Sequence, residues 1–502
     1  MKLISKNVGV LAVGLAAVTV GGVAAMPPGG AGTSQRAVRE ASAGCGTVAG
    51  AVCGTVRVPL VRARPGLGDI TVAYTLIKHR DTSRPAGGTV TINPGGPGDS
   101  AIASAAAYTR MFGDLLKDHD LLLVDPRGVN RSDPLNCGTL GSLPATREDF
   151  VRAVGDCGQR LGVRARGYIS AEIADDIDAV RAKLRIGRLD LFGESYGTYL
   201  MTVYAQRHPE RVRSLVLSSA YPLTVDMWGR PNARAARRAL RLVCQRSNGA
   251  CDGDQVLREI ARLAQRLRIR PISYTLAGRQ RRLDDTALAS IVYGMAKSAP
   301  AGIGDVPAMV RSALRSDDAP LIEAARQAAP LSGSSLSRDE TQPFNPELAA
   351  TVVCNDYPTL WSREASLPAR LKQFSAARAA LPEQEYWPFG KRAWTSMSYD
   401  QGNTCVRWPD RHGPSQPTSG PFPDVPVLVT SGDLDANTPT ETGRQAARQF
   451  SHSTVVEVPN TGHVAEHEPS GCVAAIQTGF IRDLRTPDTG CLADIPPAPV
   501  RR

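Results

Sequence analysis

Hydrophobic and polar positions follow different periods in different parts of the chain. Residues 56–60 and 70–77 alternate between apolar and polar side chains across a turn with proline and glycine, which predicts an antiparallel hairpin at a sheet edge. Short apolar runs follow at residues 88–92, 121–124, 189–192 and 215–217. Helix-like stretches, notably 171–184 and 196–207, lie between several of these runs. Apolar runs that alternate with amphipathic helices are typical of a mainly parallel sheet.

The pattern of strand-like apolar runs stops after Tyr221 and resumes only at residues 425–429 and 455–458. The intervening residues are helix-like, rich in Arg and Ala, and contain all five Trp residues. An interrupted sheet predicts one α/β fold with a large inserted helical cap. We therefore expect a signal peptide at 1–25, a flexible leader at 26–50, a first core part at 51–221, the cap at 222–420 and a second core part at 421–495.

The N-terminus carries the pattern of a secretory signal. Lys2 and Lys6 precede an apolar run over residues 8–23, and small residues at Val23 and Ala25 fit a cleavage site. An uncleaved membrane anchor is the alternative, because the run is close to the length that spans a bilayer. Cleavage predicts a protein that is secreted, extracellular or in the cell envelope.

Composition and charge narrow the class of partner. The chain has 502 residues, of which 42% are apolar and 21% charged, and this excludes a disordered or fibrous chain. A net charge of +11 could indicate nucleic acid, but the densest arginine group, at 234–241, is typical of one solvated helix face. We expect no nucleic-acid partner and at most a loose association with an anionic cell envelope.

Ten cysteines fit an oxidising compartment, in which cysteines usually pair. The sequence does not fix their connectivity, but pairing of neighbours would give five disulfides. No Cys-x-x-Cys occurs and no His stands at ligand spacing from a Cys pair, so we expect neither a metal nor a cofactor. The cysteines are Cys45, Cys53, Cys137, Cys157, Cys244, Cys251, Cys354, Cys405, Cys472 and Cys491.

A Gly-Glu-Ser-Tyr-Gly motif at residues 193–197 follows an apolar run and precedes a helix-like stretch. In this context Gly-x-Ser-x-Gly is typical of a nucleophile elbow, a tight turn that exposes the serine. The alternative is an ordinary turn with an exposed serine. The motif predicts Ser195 as a nucleophile.

A serine needs a base that removes its proton and an acid that orients the base. Asp435 follows the strand-like run at 425–429, and His463 follows the run at 455–458. The order Ser, Asp, His is that of an elbow-type hydrolase. Asp433 is the rival acid and His467 the rival base.

Two backbone N–H groups should bind the oxyanion that forms during acyl transfer. The group that follows the nucleophile, at Tyr196, is one expected donor. The glycine-rich loop after the run at 88–92 supplies the other, and we assign it to Gly96, with Gly95 as the alternative.

Five motifs together resemble one family. They are Asn-Pro-Gly-Gly-Pro-Gly at 93–98, Val-Asp-Pro-Arg-Gly at 124–128, Gly-Glu-Ser-Tyr-Gly-Thr-Tyr at 193–199, Asp-Leu-Asp and Thr-Pro within 433–439, and Gly-His at 462–463. Their combination resembles the secreted tripeptidyl-aminopeptidase and proteinase group of actinobacterial α/β-hydrolases, which are relatives of prolyl iminopeptidase. The resemblance implies an α/β-hydrolase fold, a helical cap between the elbow half and the Asp/His half, export, and serine-dependent removal of short peptides from free N-termini.

An aminopeptidase must also recognise the ammonium group of its substrate, and a carboxylate is the simplest partner. Glu194, next to the nucleophile, and Asp356, in the cap segment, are the two candidates. The alternatives are a structural hydrogen bond beneath the elbow for Glu194 and a surface or helix-capping role for Asp356.

The sequence therefore predicts a secreted serine hydrolase, most simply an aminopeptidase that releases di- or tripeptides from peptides or proteins with a free N-terminus. An esterase or lipase on the same fold is the first alternative. A catalytically silent, exported binding protein is the second.

Overall fold

The computed structural model describes residues 48, 50–140, 146–276, 278–298, 300–328, 344–397, 402–409 and 415–501. The predicted signal peptide, most of the predicted leader and Cys45 lie outside these residues.

Ten strands are found among the described residues, and eight of them form one sheet in the order β1-β2-β4-β3-β5-β6-β9-β10. The strands are β1 (Val52–Pro59), β2 (Asp69–Ile77), β3 (Gly88–Asn93), β4 (His119–Val124), β5 (Leu189–Glu194), β6 (Val212–Ser218), β7 (Ile272–Leu276), β8 (Arg279–Leu283), β9 (Val427–Gly432) and β10 (Ser453–Val458). β1 and β2 form the predicted antiparallel hairpin, with β1 at the sheet edge. The pairs from β4 to β10 are all parallel.

Helices connect the parallel strands and fill the interval between β6 and β9. The described α-helices are α1 (Ala105–Met111), α2 (Arg147–Leu161), α3 (Ser170–Lys183), α4 (Tyr196–Arg207), α5 (Arg230–Gln245), α6 (Gly253–Ile269), α7 (Asp285–Ser298), α8 (Pro300–Leu314), α9 (Ala319–Ala328), α10 (Pro346–Asp356), α11 (Leu367–Ala379), α12 (Lys391–Trp394), α13 (Thr440–Ala447) and α14 (Cys472–Asp483).

The central strands are buried along their whole length because both faces of the sheet are covered. Every residue of β4, β5 and β9 is buried. Parallel strands in such a sheet place their carboxyl ends at one edge, where loops can collect functional side chains. The loops after β3, β5, β9 and β10 bring the predicted site residues to this edge.

The segment between β6 and β9 contributes to two hydrophobic cores. Helices α5 to α9 pack around one core that includes Leu240, Ile260 and Val292. Helix α10 instead packs into the core that covers one face of the main sheet, through Leu348 and Val352. Helix α10, within the predicted cap, therefore forms part of the wall of the hydrolase core.

A small hairpin differs from the predicted helical character of this segment. Strands β7 and β8 pair antiparallel, from Ile272 opposite Leu283 to Leu276 opposite Arg279. Apolar residues at every second position of β7 are the signal for a strand. The arginines of β8 obscure the same period in the partner strand.

Four of the five predicted disulfides lie among the described residues. They join Cys137 to Cys157, Cys244 to Cys251, Cys354 to Cys405, and Cys472 to Cys491. Cys53 is also disulfide-bonded. The Cys354–Cys405 bond ties the end of α10 to the segment after α12.

None of the helices in the described part of the chain has the length and apolar character needed to cross a membrane.

Candidate active site

Ser195 occupies the turn between β5 and α4. Its backbone φ of 54° and ψ of −122° lie outside the helical and extended regions, and this strained geometry projects the side chain from the sheet edge. A side chain at Gly197 would clash with the carbonyl oxygen of Asn93, so the turn requires glycine there. The Ser195 N–H donates to Ser218 O at 3.0 Å and fixes the turn to β6.

Asp435 is completely buried in the loop after β9. Its Oδ1 accepts hydrogen bonds from the backbone N–H groups of Asn437 at 2.7 Å and Thr438 at 3.0 Å. Its Oδ2 accepts from the Thr438 hydroxyl at 2.7 Å. Burial alone would raise the pKa of Asp435, but His463 and these donors hold the pKa below its usual value. The loop thus keeps the Asp435 carboxylate charged although it is buried.

His463 lies beside this carboxylate. Its Nδ1 is 3.0 Å from Oδ2 of Asp435 and 3.0 Å from the Thr438 hydroxyl. The loops that carry the acid and the base are joined by backbone bonds, one of which runs from Leu434 N to Thr461 O at 3.0 Å. An Nδ1–H that donates to Asp435 leaves Nε2 as the acceptor that a general base needs.

The Nε2 atom of His463 contacts an amide that the sequence did not single out. Asn437 Nδ2 lies 3.2 Å from Nε2. The Tyr293 hydroxyl, on α7, donates to Asn437 Oδ1 at 3.0 Å, which orients the amide nitrogen toward the imidazole. Among the described residues, no hydrogen bond joins Ser195 to His463, although both line the same cavity.

The rivals of Asp435 and His463 have other partners. Asp433 forms an ion pair with Arg246 at 2.6 Å. His467 Nε2 lies 3.7 Å from Oε1 of Glu194, and its side chain is 59% exposed. The geometry favours Asp435 and His463 as the acid and base.

The glycine loop after β3 packs directly on the elbow. A side chain at Gly95 would come within 2.6 Å of Glu194 O and 3.0 Å of Tyr196 N, so only glycine fits. The Gly95 N–H donates to Asn93 Oδ1 at 3.0 Å. The Gly96 N–H has no such partner in the described chain, and Tyr196 begins α4, where backbone N–H groups are unpaired. These two groups are therefore the candidate oxyanion donors.

A buried aspartate holds the far end of this loop. Asp125 Oδ1 accepts from the Ser100 hydroxyl at 2.8 Å and from Ile102 N at 3.0 Å, and Asp125 Oδ2 accepts from Asn130 at 2.9 Å. Asp125 belongs to the Val-Asp-Pro-Arg-Gly motif, whose role was not evident from sequence. It positions the loop rather than contacting the cavity.

Neither carboxylate predicted to bind the substrate ammonium lines the cavity. Glu194 is buried beneath the elbow, where its Oε2 accepts from the Tyr108 hydroxyl at 2.9 Å. Asp356 accepts from Ser170 N at 2.7 Å and from the Ser170 hydroxyl at 2.5 Å. Burial raises the pKa of Asp356 to about 6 against the effect of those bonds. Each carboxylate therefore has a hydrogen-bond partner inside the fold, and neither lies on the cavity that contains Ser195.

A cavity of about 310 Å³ opens above the nucleophile. Ser195, His463 and Gly96 line it together. Three further charged side chains that the sequence did not single out also reach it, namely Asp99, Asp226 and Lys297. Among the described residues, no group of three or more His, Cys, Asp or Glu side chains has the arrangement of a metal site.

Comparison with known proteins agrees with the fold. Residues 88–242 match the family model described as alpha/beta hydrolase fold, and residues 391–492 match the model described as TAP-like protein. The two matches cover just over half of the chain. The first contains Ser195 and Gly96, and the second contains Asp435 and His463.

Three relatives show how the similarity is distributed. Serine protease Hip1 from Mycobacterium tuberculosis is 33% identical over 196 residues, which are 35% of this chain and 37% of that protein. Tripeptidyl aminopeptidase from Streptomyces lividans is 30% identical over 200 residues, 36% of this chain and 37% of that protein. Carboxylesterase B from Mycobacterium tuberculosis is 28% identical over 207 residues, 37% of this chain and 39% of that protein.

The aligned part spans a little over a third of the length of these relatives. The predicted fold class and the predicted family resemblance are confirmed by the family models and by the sheet order. The chain therefore has the α/β-hydrolase fold of a family of enzymes, and its residues 391–492 match the TAP-like family.

Proposed function

We infer that the protein is a serine peptidase that releases di- or tripeptides from peptides with a free N-terminus through an acyl-enzyme. The observation that carries this inference is a single cavity lined by Ser195, His463 and Gly96, with Asp435 supporting His463 from behind. Two of the relatives, named tripeptidyl aminopeptidase and serine protease, favour a peptide substrate over other acyl compounds.

Each residue has one role in the reaction. The Ser195 hydroxyl attacks the substrate carbonyl while Nε2 of His463 takes its proton. Asp435 keeps the Nδ1 proton in place and stabilises the imidazolium that forms. The N–H groups of Gly96 and Tyr196 bind the oxyanion. His463 then returns the proton to the leaving amine, and water hydrolyses the acyl-enzyme by the same steps.

The contact between His463 and Asn437 adds one requirement to this series of reaction steps. Nε2 must accept the proton of Ser195, and in the structure it lies against the amide of Asn437. The serine hydroxyl therefore has to replace this amide before attack. Because Tyr293 on α7 orients the amide, this helix takes part in positioning the base.

The test uses one peptide in two forms, an alanine tripeptide p-nitroanilide with a free amine and its N-acetylated derivative. We expect the enzyme to cleave the free form with a much higher kcat/KM. Ser195→Ala should lower kcat/KM by about 10⁴-fold or more, because both the nucleophile and the acyl-enzyme are lost. Equal turnover of the two peptide forms, or turnover that survives Ser195→Ala, would contradict the inference.

An esterase is the second candidate, and the similarity to carboxylesterase B favours it. An esterase would hydrolyse p-nitrophenyl acyl esters efficiently and would gain nothing from a free amine in the substrate. The same peptide pair, assayed beside a p-nitrophenyl ester, separates the two functions by the ratio of their kcat/KM values.

We further infer that the protein acts outside the cytoplasm. The four described disulfides support this, because disulfides persist in oxidising compartments. Intact-mass and non-reducing peptide mapping of protein from the culture medium should find a new N-terminus after Ala25 and a Cys45–Cys53 bond. A cell-bound protein that retains Lys2 and Lys6 would contradict cleavage.

A further inference from the structure

The charged side chains that line the cavity above Ser195 differ in how many hydrogen-bond and ion-pair partners they have. Both carboxylate oxygens of Asp226 accept hydrogen bonds. Oδ1 accepts from Trp228 N at 2.9 Å, and Oδ2 accepts from Arg230 Nε at 2.7 Å. Asp99 has no hydrogen bond or ion pair to its carboxylate within the described chain. Unpaired, partly buried carboxylates are costly, so an open one in a substrate cavity calls for a ligand.

The position of Asp99 is set by the oxyanion loop. Its backbone N–H donates to Gly95 O at 3.2 Å, which turns the chain back on itself. A side chain at Gly96 would lie 3.0 Å from Oδ2 of Asp99. The carboxylate therefore stands beside the residue that we assign as an oxyanion donor.

A negative charge in this position disfavours the reaction unless a positive charge lies beside it. The oxyanion that forms at Gly96 is negative, and a second negative charge nearby in a poorly solvated cavity would oppose it. Lys297 lines the same cavity but is exposed, and no ion pair joins it to Asp99. A cation carried by the substrate would remove the conflict only when a substrate is bound.

The electrostatic state of Asp99 is consistent with such a ligand. Burial and the charge of Glu194 raise the pKa of Asp99 to about 6, while Lys297 acts in the opposite direction. Above pH 6 the carboxylate is ionised at a cost that a bound ammonium would offset.

We propose that Asp99 binds the α-ammonium group of the substrate and so determines the specificity for free N-termini. The proposal rests on the aminopeptidase activity proposed above. It assigns this role to a carboxylate on the cavity that Ser195 also lines, in place of Glu194 and Asp356, which lie outside that cavity.

The test is the ratio of kcat/KM for the free alanine tripeptide p-nitroanilide to that for its N-acetyl form. Asp99→Asn should lower this ratio by about 10- to 100-fold, because a charge-assisted hydrogen bond is lost. Asp226→Asn is the matched control, since it removes a carboxylate from the same cavity that already has two partners. The ratio for Asp226→Asn should stay near the wild-type value.

Labelling of Ser195 by a fluorophosphonate shows whether the variants are folded, because this probe carries no amine. If Asp99→Asn is not labelled, Asp99→Ser is measured in the same way. A wild-type ratio near one would overturn the proposed aminopeptidase activity and this inference with it. A high wild-type ratio that Asp99→Asn and Asp99→Ser leave unchanged would overturn the role of Asp99 alone. A loss confined to Asp226→Asn would assign the ammonium to the other carboxylate and would also overturn it.

Discussion

Two pairs of a histidine and a carboxylate lie close to Ser195, and their environments differ sharply. In the first, Asp435 is buried, saturated with three donors and 3.0 Å from His463, whose side chain is only 14% exposed. In the second, Glu194 keeps one buried oxygen without a hydrogen bond in the described chain, 3.7 Å from a largely exposed His467.

The two pairs also face different spaces. His463 lines the cavity that contains Ser195, whereas His467 lines another, together with Tyr108 and the buried Glu466. Burial and the charge of Glu194 raise the pKa of Glu466 to about 7. A histidine and a carboxylate near Ser195 are therefore not enough to form a catalytic pair, because they must also line the cavity that contains the nucleophile. Asp435 stays charged in the interior because His463 and three donors surround it, and only the first pair has its histidine on the cavity of Ser195.

The largest expected effect separates the two histidines. His463→Ala should lower kcat/KM by about 10⁴-fold, because the serine loses its base. His467→Ala should change it less than threefold, since its ring points into the other cavity. Steady-state kinetics with the free tripeptide substrate measures both. The reverse order of effects would exchange the roles of the two histidines.

The next effect separates the two acids. Asp435→Asn should reduce kcat by about 10³- to 10⁴-fold, because a neutral amide neither fixes the tautomer of His463 nor stabilises its charged form. Glu194→Gln keeps the contact with Tyr108 and should cost less than tenfold. A loss of kcat in Glu194→Gln as large as that in Asp435→Asn would refute the distinction between the pairs.

The next prediction concerns Asn437, which contacts the histidine of the first pair and affects how readily it acts as a base for Ser195. Because its amide contacts Nε2 of His463, Asn437→Ala should release the base toward Ser195 and speed fluorophosphonate labelling by about fivefold, the value of one hydrogen bond. Tyr293→Phe, which no longer orients the amide, should act in the same direction with a smaller effect. Labelling slowed more than tenfold in Asn437→Ala would instead make this amide a required part of the base.

The smallest effect on turnover is expected for Glu466, which lines the same cavity as His467, and this residue instead affects stability. The pKa of Glu466 is about 7 in the fold and lies above its value in the unfolded chain. The folded form therefore binds more protons between about pH 4.5 and 7, and stability falls as the pH rises through that range. Glu466→Gln should remove this loss and stabilise the protein at pH 8 by on the order of 2 kcal/mol.

Thermal unfolding at pH 5 and pH 8 measures this difference. The variant and the wild type should have similar melting temperatures at pH 5, and the variant should melt higher at pH 8. A variant that is less stable at pH 8 would show that the charged carboxylate is favourable in the fold.

The sequence identified site residues most directly where their position right after a predicted strand defines their role. Ser195, Asp435 and His463 each follow a strand of the parallel sheet, and the ends of parallel strands meet at one edge. The hairpin of β1 and β2 was predictable because its period of two is visible over several residues. The glycine loop was predictable because close backbone contact excludes side chains.

Contacts between distant segments could not be predicted in this way. Glu194 stands next to the nucleophile in the chain, but its side chain points away from the cavity toward Tyr108. The role of Asn437 depends on Tyr293, which belongs to a helix inserted between the elbow and the acid. Asp99 adjoins the glycine loop, and this adjacency was the one signal that could have identified it.

The central claim is that Ser195 is activated by His463 in a cavity that His467 does not share. Peptide mapping by mass spectrometry after timed fluorophosphonate treatment tests it directly. We predict one adduct, on Ser195, which forms at similar rates in the wild type and His467→Ala and at least about 100-fold more slowly in His463→Ala. An adduct on another residue, or equal labelling of Ser195 with and without His463, would contradict the account.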